Sequence, residues 1–154
     1  MASGIFNIAR GGVNELVNQV ALSTHELVVV LLKTTESDDL LQERTNLTEI
    51  LQAAGNTEAD FTNYSRKVLT TTEINAPTID NGDDSRSSFV PDIEWADAGG
   101  SLNNSLVKLI ICQRPLNQTS TVTFVPLCQY DFIGTTNGTL LTAKAPVTGF
   151  FKAS

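Results

Sequence analysis

The sequence predicts an α+β fold, mainly an antiparallel β sheet or sandwich with one or two short helices near its N-terminal end. Helical spacing of apolar residues is confined to the stretch before Gly55. Two short aliphatic runs, Leu27 to Leu32 and Leu106 to Cys112, have the length and composition of strands buried on both faces. The remaining chain alternates between β-forming stretches and turn dipeptides, of which Asn81-Gly82 and Asn137-Gly138 are the strongest tight-turn signals. With 154 residues, 41% hydrophobic and 18% charged, the chain can bury one core without staples and would leave two independent domains marginal. The expected division is an N-terminal arm over residues 1–12 and a single compact β-rich domain over 13–154.

The arm carries Ile5, Phe6 and Ile8 and ends at Gly11-Gly12, a poor place for regular structure to continue. Val13, Leu16, Val17 and Val20 recur at helical spacing and predict a short helix. Glu26 to Lys33 is rich in β-branched residues and predicts a mid-sheet strand. Ser37 or Asp38 can cap a second helix with inward residues Leu40, Leu47, Leu51 and Ala54, a break near Thr45-Asn46, and Gly55 ending it in the left-handed conformation. Lys67 to Ile74 and Ser87 to Trp95 are then expected as strands. Leu106 to Cys112 should pair with Thr121 to Phe132 across the loop holding Pro115 and Asn117, and Leu140 to Ala143 and Val147 to Phe151 close the chain.

A net charge of −7 opposes binding to a phosphate backbone, which depends on Lys and Arg releasing counterions. Direct contact with nucleic acid is not expected. No segment has the charged-then-apolar pattern of a signal peptide or the apolar length of a membrane span, so neither export by that route nor a membrane partner is expected. Asn-x-Ser/Thr triplets at Asn46, Asn63, Asn103, Asn117 and Asn137 follow from a chain rich in these residues and are not read as glycosylation sites.

Catalytic chemistry finds little support. His25 stands alone before the aliphatic strand, so a zinc site or a histidine base is not expected. Asp80-Asn81-Gly82-Asp83-Asp84 has the oxygen ligands that calcium takes but lacks the EF-hand register, and reads better as a solvated acidic turn. Asp92, Glu94, Trp95 and Asp97 could form a sugar site, with an aromatic platform beside carboxylates; the simpler reading puts Trp95 in the core and the acids in water. Cys112 and Cys128 are read as small apolar core residues that offset pairing keeps apart. No catalytic residue, metal or cofactor is expected.

A series of segments nevertheless resembles a known family. It runs from Ala9-Arg10-Gly11, followed by a short helix and an aliphatic strand, through the helix after Ser37-Asp38-Asp39 and Phe61-Thr62-Asn63-Tyr64-Ser65-Arg66-Lys67. It continues with Pro91-Asp92-Ile93-Glu94-Trp95, Ala98-Gly99-Gly100, Asn103-Asn104 and Leu106 to Cys112, and closes with Leu140-Leu141-Thr142-Ala143 and Gly149-Phe150-Phe151. In this order they resemble a family of small virion proteins of tailed bacteriophages, and the similarity runs along most of the chain. The resemblance implies a non-enzymatic structural role in the particle, and some similar proteins act as cement on the head.

The leading expectation is a capsid cement, or decoration, protein on the outer capsid surface, assembled in the host cytoplasm. It would bind the major capsid protein and bridge capsomers, with self-association as a further partner relation. The alternative is a neck, tail or fibre component with a glycan-binding β-domain that uses Trp95, and a more distant one is glycoside cleavage by Asp92 and Glu94. Partner-binding candidates are Ile5, Phe6, Ile8 and Arg10 of the arm, with Gly11-Gly12 as a hinge, and the Phe150-Phe151 pair.

Overall fold

A computed structural model describes residues 3–154; Met1 and Ala2, the first two residues of the expected arm, lie outside the described residues. The chain opens with β1 (Ser3–Ile5), a 3-10 turn at Asn7–Ala9 and α1 (Val13–Ala21). Next come β2 (His25–Thr34), α2 (Asp38–Gln42), α3 (Leu47–Gln52), β3 (Thr57–Glu58), β4 (Lys67–Leu69), β5 (Thr78–Asp80) and β6 (Ser85–Ser88). The order ends with β7 (Ile93–Ala98), β8 (Ser105–Pro115), β9 (Val125–Thr135), β10 (Thr139–Ala143) and β11 (Phe151–Ala153). The architecture is α+β, mostly antiparallel, as the sequence predicts.

A six-stranded sheet runs β1-β9-β8-β2-β3, with β4 also paired to β2. Its centre is the antiparallel pair β2–β8, in register from His25↔Pro115 to Leu32↔Lys108. Both strands are covered above and below, which is why their aliphatic runs are continuous rather than alternating. Alternation appears in where the side chains go. Leu27, Val29, Leu31, Leu109 and Ile111 enter one core, whereas Val28, Val30, Leu32, Ile110 and Cys112 enter the other.

The first core is closed by Val13, Val17 and Val20 of α1, by Ile93, Trp95 and Ala98 of β7, and by Ala143 and Phe150. Strands β7 and β10 form a two-stranded ribbon, and β11-β6-β5 form a small three-stranded sheet. The second core is closed by Leu41 of α2, by Leu47 and Ile50 of α3, and by Phe6 and Phe124.

Several expected elements are redrawn. The second helix is two helices, because Asn46 caps anew: its Oδ1 accepts from Glu49 N–H at 3.0 Å while Glu49 accepts from Thr45 N–H at 2.8 Å. The restart resets the helical phase, so Leu41, Leu47 and Ile50 point inward while Leu40 and Ala54 are exposed. Gly55 does not end it in a left-handed conformation; the cap is Ala53 at φ −66. Only Lys67–Leu69 of the stretch to Ile74 is strand, since Thr70 turns the chain by donating its N–H to Glu73 at 2.8 Å. Ser87 to Trp95 divides at Pro91, which has no N–H for a ladder. Thr121–Thr123 is a 3-10 turn, and strand in the last segment starts only at Phe151.

The arm is likewise not separate along its described length. β1 pairs with β9, from Ser3↔Tyr130 to Ile5↔Cys128, and Phe6 N–H donates to the Leu127 carbonyl at 3.1 Å. The expected boundary at residue 12 is therefore not a structural one.

Candidate functional site

Of the six candidate binding residues, four meet. Ile5, Arg10, Phe150 and Phe151 line one open cleft of about 590 Å³, together with Gln42 and Lys152. Phe6 and Ile8 are not part of it. Phe6 was expected as a docking group, yet it is 0% exposed and fills the second core. The reason is geometric: pairing of Ile5 with Cys128 sets Ile5 toward the first core, and the next residue must point to the opposite face. Ile8 is 48% exposed on the 3-10 turn. Phe150, also expected as a clamp, is itself a buried member of the first core, whereas Phe151 is half-buried.

The cleft lies where two sheets stop. β1 is the end strand of the six-stranded sheet and β11 the end strand of the three-stranded one, and residues of both line the opening. Tyr130, one residue from Gln129 on β9, forms part of the wall, and its hydroxyl donates to the Phe150 carbonyl. Burial pushes the Tyr130 phenol well above its ordinary value, so this group stays a neutral donor. Gly4 lets the α2 side chain lie across β1: a Cβ there would fall 2.4 Å from Gln42 Nε2 and 3.0 Å from Gln129 Nε2, so a larger residue would push the Gln42 carboxamide aside. Arg10 Nη2 donates to Gln42 Oε1 at 3.4 Å and makes no ion pair among the described residues. Lys152, by contrast, is paired with Asp83 of the β5–β6 turn. Gln129 is buried beneath, and neither its Oε1 nor its Nε2 has a hydrogen-bond partner among the described residues.

A second, more apolar groove of about 340 Å³ runs between β9 and the segment from Lys144 to Phe150, with Val90, Pro91, Phe132 and Ile133 among its walls. Ile133 is 80% exposed, and Val147, within that segment, is 96% exposed.

Of the remaining candidates, Trp95, Asp92 and Asp80 are engaged locally, and Glu94 and Asp97 are exposed. Trp95 is 1% exposed and donates Nε1–H to the Ser65 carbonyl at 2.9 Å, so its ring offers no platform to a sugar. Asp92 accepts from Lys144 Nζ at 2.7 Å and from Ala145 N–H at 2.8 Å. These bonds, Lys144 first, hold its carboxyl below the usual aspartate value, the reverse of what a proton-donating glycosidase acid needs. Asp80 Oδ1 accepts from Gly82 N–H at 2.9 Å and Asp83 N–H at 3.3 Å, which ties Asp80 to the turn's own backbone, while Asp83 pairs with Lys152. Among the described residues no group of three or more His, Cys, Asp or Glu is placed to hold a metal ion.

His25 Nδ1 lies 2.9 Å from Thr24 Oγ1 at the start of β2. Cys128 opposes Ile111 and Cys112 opposes Pro126, placing the two thiols in different cores, where burial pushes each up to about 12. No helix among the described residues is long and apolar enough to cross a membrane.

Sequence reasoning missed Gln42, Gln129, Tyr130 and Lys152. Only the long-range register Gly4↔Gln129 brings the first two together, and no local pattern encodes it. No protein-family model, curated protein or solved structure matches this chain.

Proposed function

We propose that this chain is a structural protein of a tailed-phage virion, and within it a capsid cement protein that seats on the outer shell and bridges neighbouring capsomers. The order of sequence segments from Ala9-Arg10-Gly11 to Gly149-Phe150-Phe151 supports the family. The single observation that carries the attachment role is the meeting of Ile5, Arg10, Phe150 and Phe151 in one cleft between two strand edges. Such edges are templates for pairing with another chain. A net charge of −7 suits an outward position, away from packaged nucleic acid.

In this reading the partner is the major capsid protein and the role is non-enzymatic. Asp92 and Trp95, which would serve a glycosidase, are occupied by ion pairing, backbone bonds and core packing. The test is to add the purified chain to particles that lack it, count bound copies and locate them by electron microscopy. Occupancy of every capsomer supports the proposal. Binding confined to neck, tail or fibres would move the chain to that part of the virion, and failure to bind any particle surface would overturn the reading.

A further inference from the structure

We propose that the cleft between β1 and β11 receives a short extended segment of a partner protein, added as a strand and carrying a carboxylate that pairs with Arg10. The identification of that partner as a shell protein rests on the function proposed above; the chemistry of the cleft does not.

Two independent observations point to the same occupant. β1 is paired only with β9 and β11 only with β6, so each presents to the cleft side a strand edge that no described strand covers. An extended backbone is the ligand that satisfies the N–H and C=O groups of such edges. Ile5 and Phe151 supply half-buried apolar surface for its alternate side chains.

Charge then selects among extended segments. On a chain of net charge −7, Arg10 is exposed, sits in the cleft wall, donates to the neutral carboxamide of Gln42 and has no ion pair among the described residues. Its guanidinium fork matches a carboxylate with two parallel hydrogen bonds. Lys152 does not compete, because Asp83 already neutralises it.

The experiment uses the full chain, labelled with ¹⁵N, and three blocked peptides as probes: Thr-Val-Thr-Glu-Val-Thr, the same peptide with Lys for Glu, and the same with Pro for both Val. Binding of the Glu peptide should shift the amides of Gly4, Ile5, Phe151 and Lys152. The Lys peptide should bind about tenfold more weakly, and the Pro peptide, which cannot donate along an edge, should not bind. Arg10→Glu, a change at an exposed site, should reverse the Glu-over-Lys preference. Absence of shifts with millimolar Glu peptide, shifts confined to the groove beside Ile133, or an unchanged preference in Arg10→Glu would each overturn the proposal.

Particle binding separates the two readings. If the wild-type chain decorates particles while the peptides fail, the cleft inference falls and the cement reading stands. If the peptides behave as stated and particles remain bare, the cement reading falls and the cleft stands.

Discussion

The two faces of the central sheet are closed in different ways. The second core is covered by residues close in sequence to β2, the α2 and α3 helices that follow it, with Phe6 and Phe124 inserted from the ends of β1 and β9. It is also tied down by charge. Lys108, almost fully buried, donates to Asp38 at the start of α2 (2.7 Å) and to Asp131 of β9 (2.6 Å). Burial works against its positive charge, but those hydrogen bonds outweigh it and raise its pKa. The first core is covered instead by α1 and by ribbons from the second half of the chain, and both clefts open along that patchwork. A face closed by short local helices seals, whereas a face assembled from separate small sheets leaves strand edges between them. Surface for a partner therefore collects on the second kind.

The largest test of this contrast is Trp95→Ala. It removes the biggest side chain of the first core and the bond to Ser65, and should cost about 3–5 kcal/mol in denaturant unfolding. A near-neutral result would mean that the β7–β10 ribbon does not seal that face. Phe6→Ala does the same on the other face and should cost about 3 kcal/mol. Deleting residues 2–10 should accordingly lower the melting temperature sharply, where a detachable arm would leave it unchanged.

Gly99→Ala tests the corner at the end of β7. Its backbone sits at φ +95, and a Cβ would lie 2.2 Å from Asn103 Oδ1, so a loss of about 1–3 kcal/mol is expected.

A smaller effect comes from pH on the sealed face. Bonds from Arg44, then Asn56, hold the Glu36 carboxyl below its ordinary 4.5 even though burial opposes them. A carboxyl lowered in the folded state stabilises it above the unfolded value. That contribution is lost as pH falls from about 4.5 through the folded value. Glu36→Gln should flatten this acid limb and leave the slope of stability above pH 6 unaltered, as thermal melts at a series of pH values would register. The smallest effect belongs to the open side: Arg10→Glu should change stability by less than about 0.5 kcal/mol, so any change in its binding reports on the cleft itself.

The sealed architecture was more legible in the sequence than the open one. Strands β2 and β8 announce themselves because burial on both faces makes them uniformly aliphatic. Helix α1 does so because Val13, Val17 and Val20 keep one stripe. The break at Asn46 was visible as well, but its consequence for phase was not: Leu40 and Ala54 were expected inward and are exposed, whereas Leu41 and Ile50 are buried and Leu51 packs at the margin of the second core. Of the cleft, Ile5, Arg10, Phe150 and Phe151 could be singled out as apolar or charged residues without a local partner. What no local pattern contained was that β1 joins β9, since that pairing links opposite ends of the sequence. The fate of Phe6 follows from that pairing alone.

The register of β2 also governs time. Its full-length neighbour, β8, reaches it through His25↔Pro115, and β8 is itself completed by β9, which ends at Thr135. A ribosome must therefore release the chain through Pro115 before the β2–β8 ladder can close, and until then Leu27 to Leu32 have only the short strands β3 and β4 to pair with. Non-local pairing of this kind places folding in the range of roughly milliseconds to seconds rather than microseconds. During synthesis the aliphatic strand is a target for chaperones and for its counterparts on other nascent copies, so the yield of folded chain should fall with expression rate before it falls with temperature.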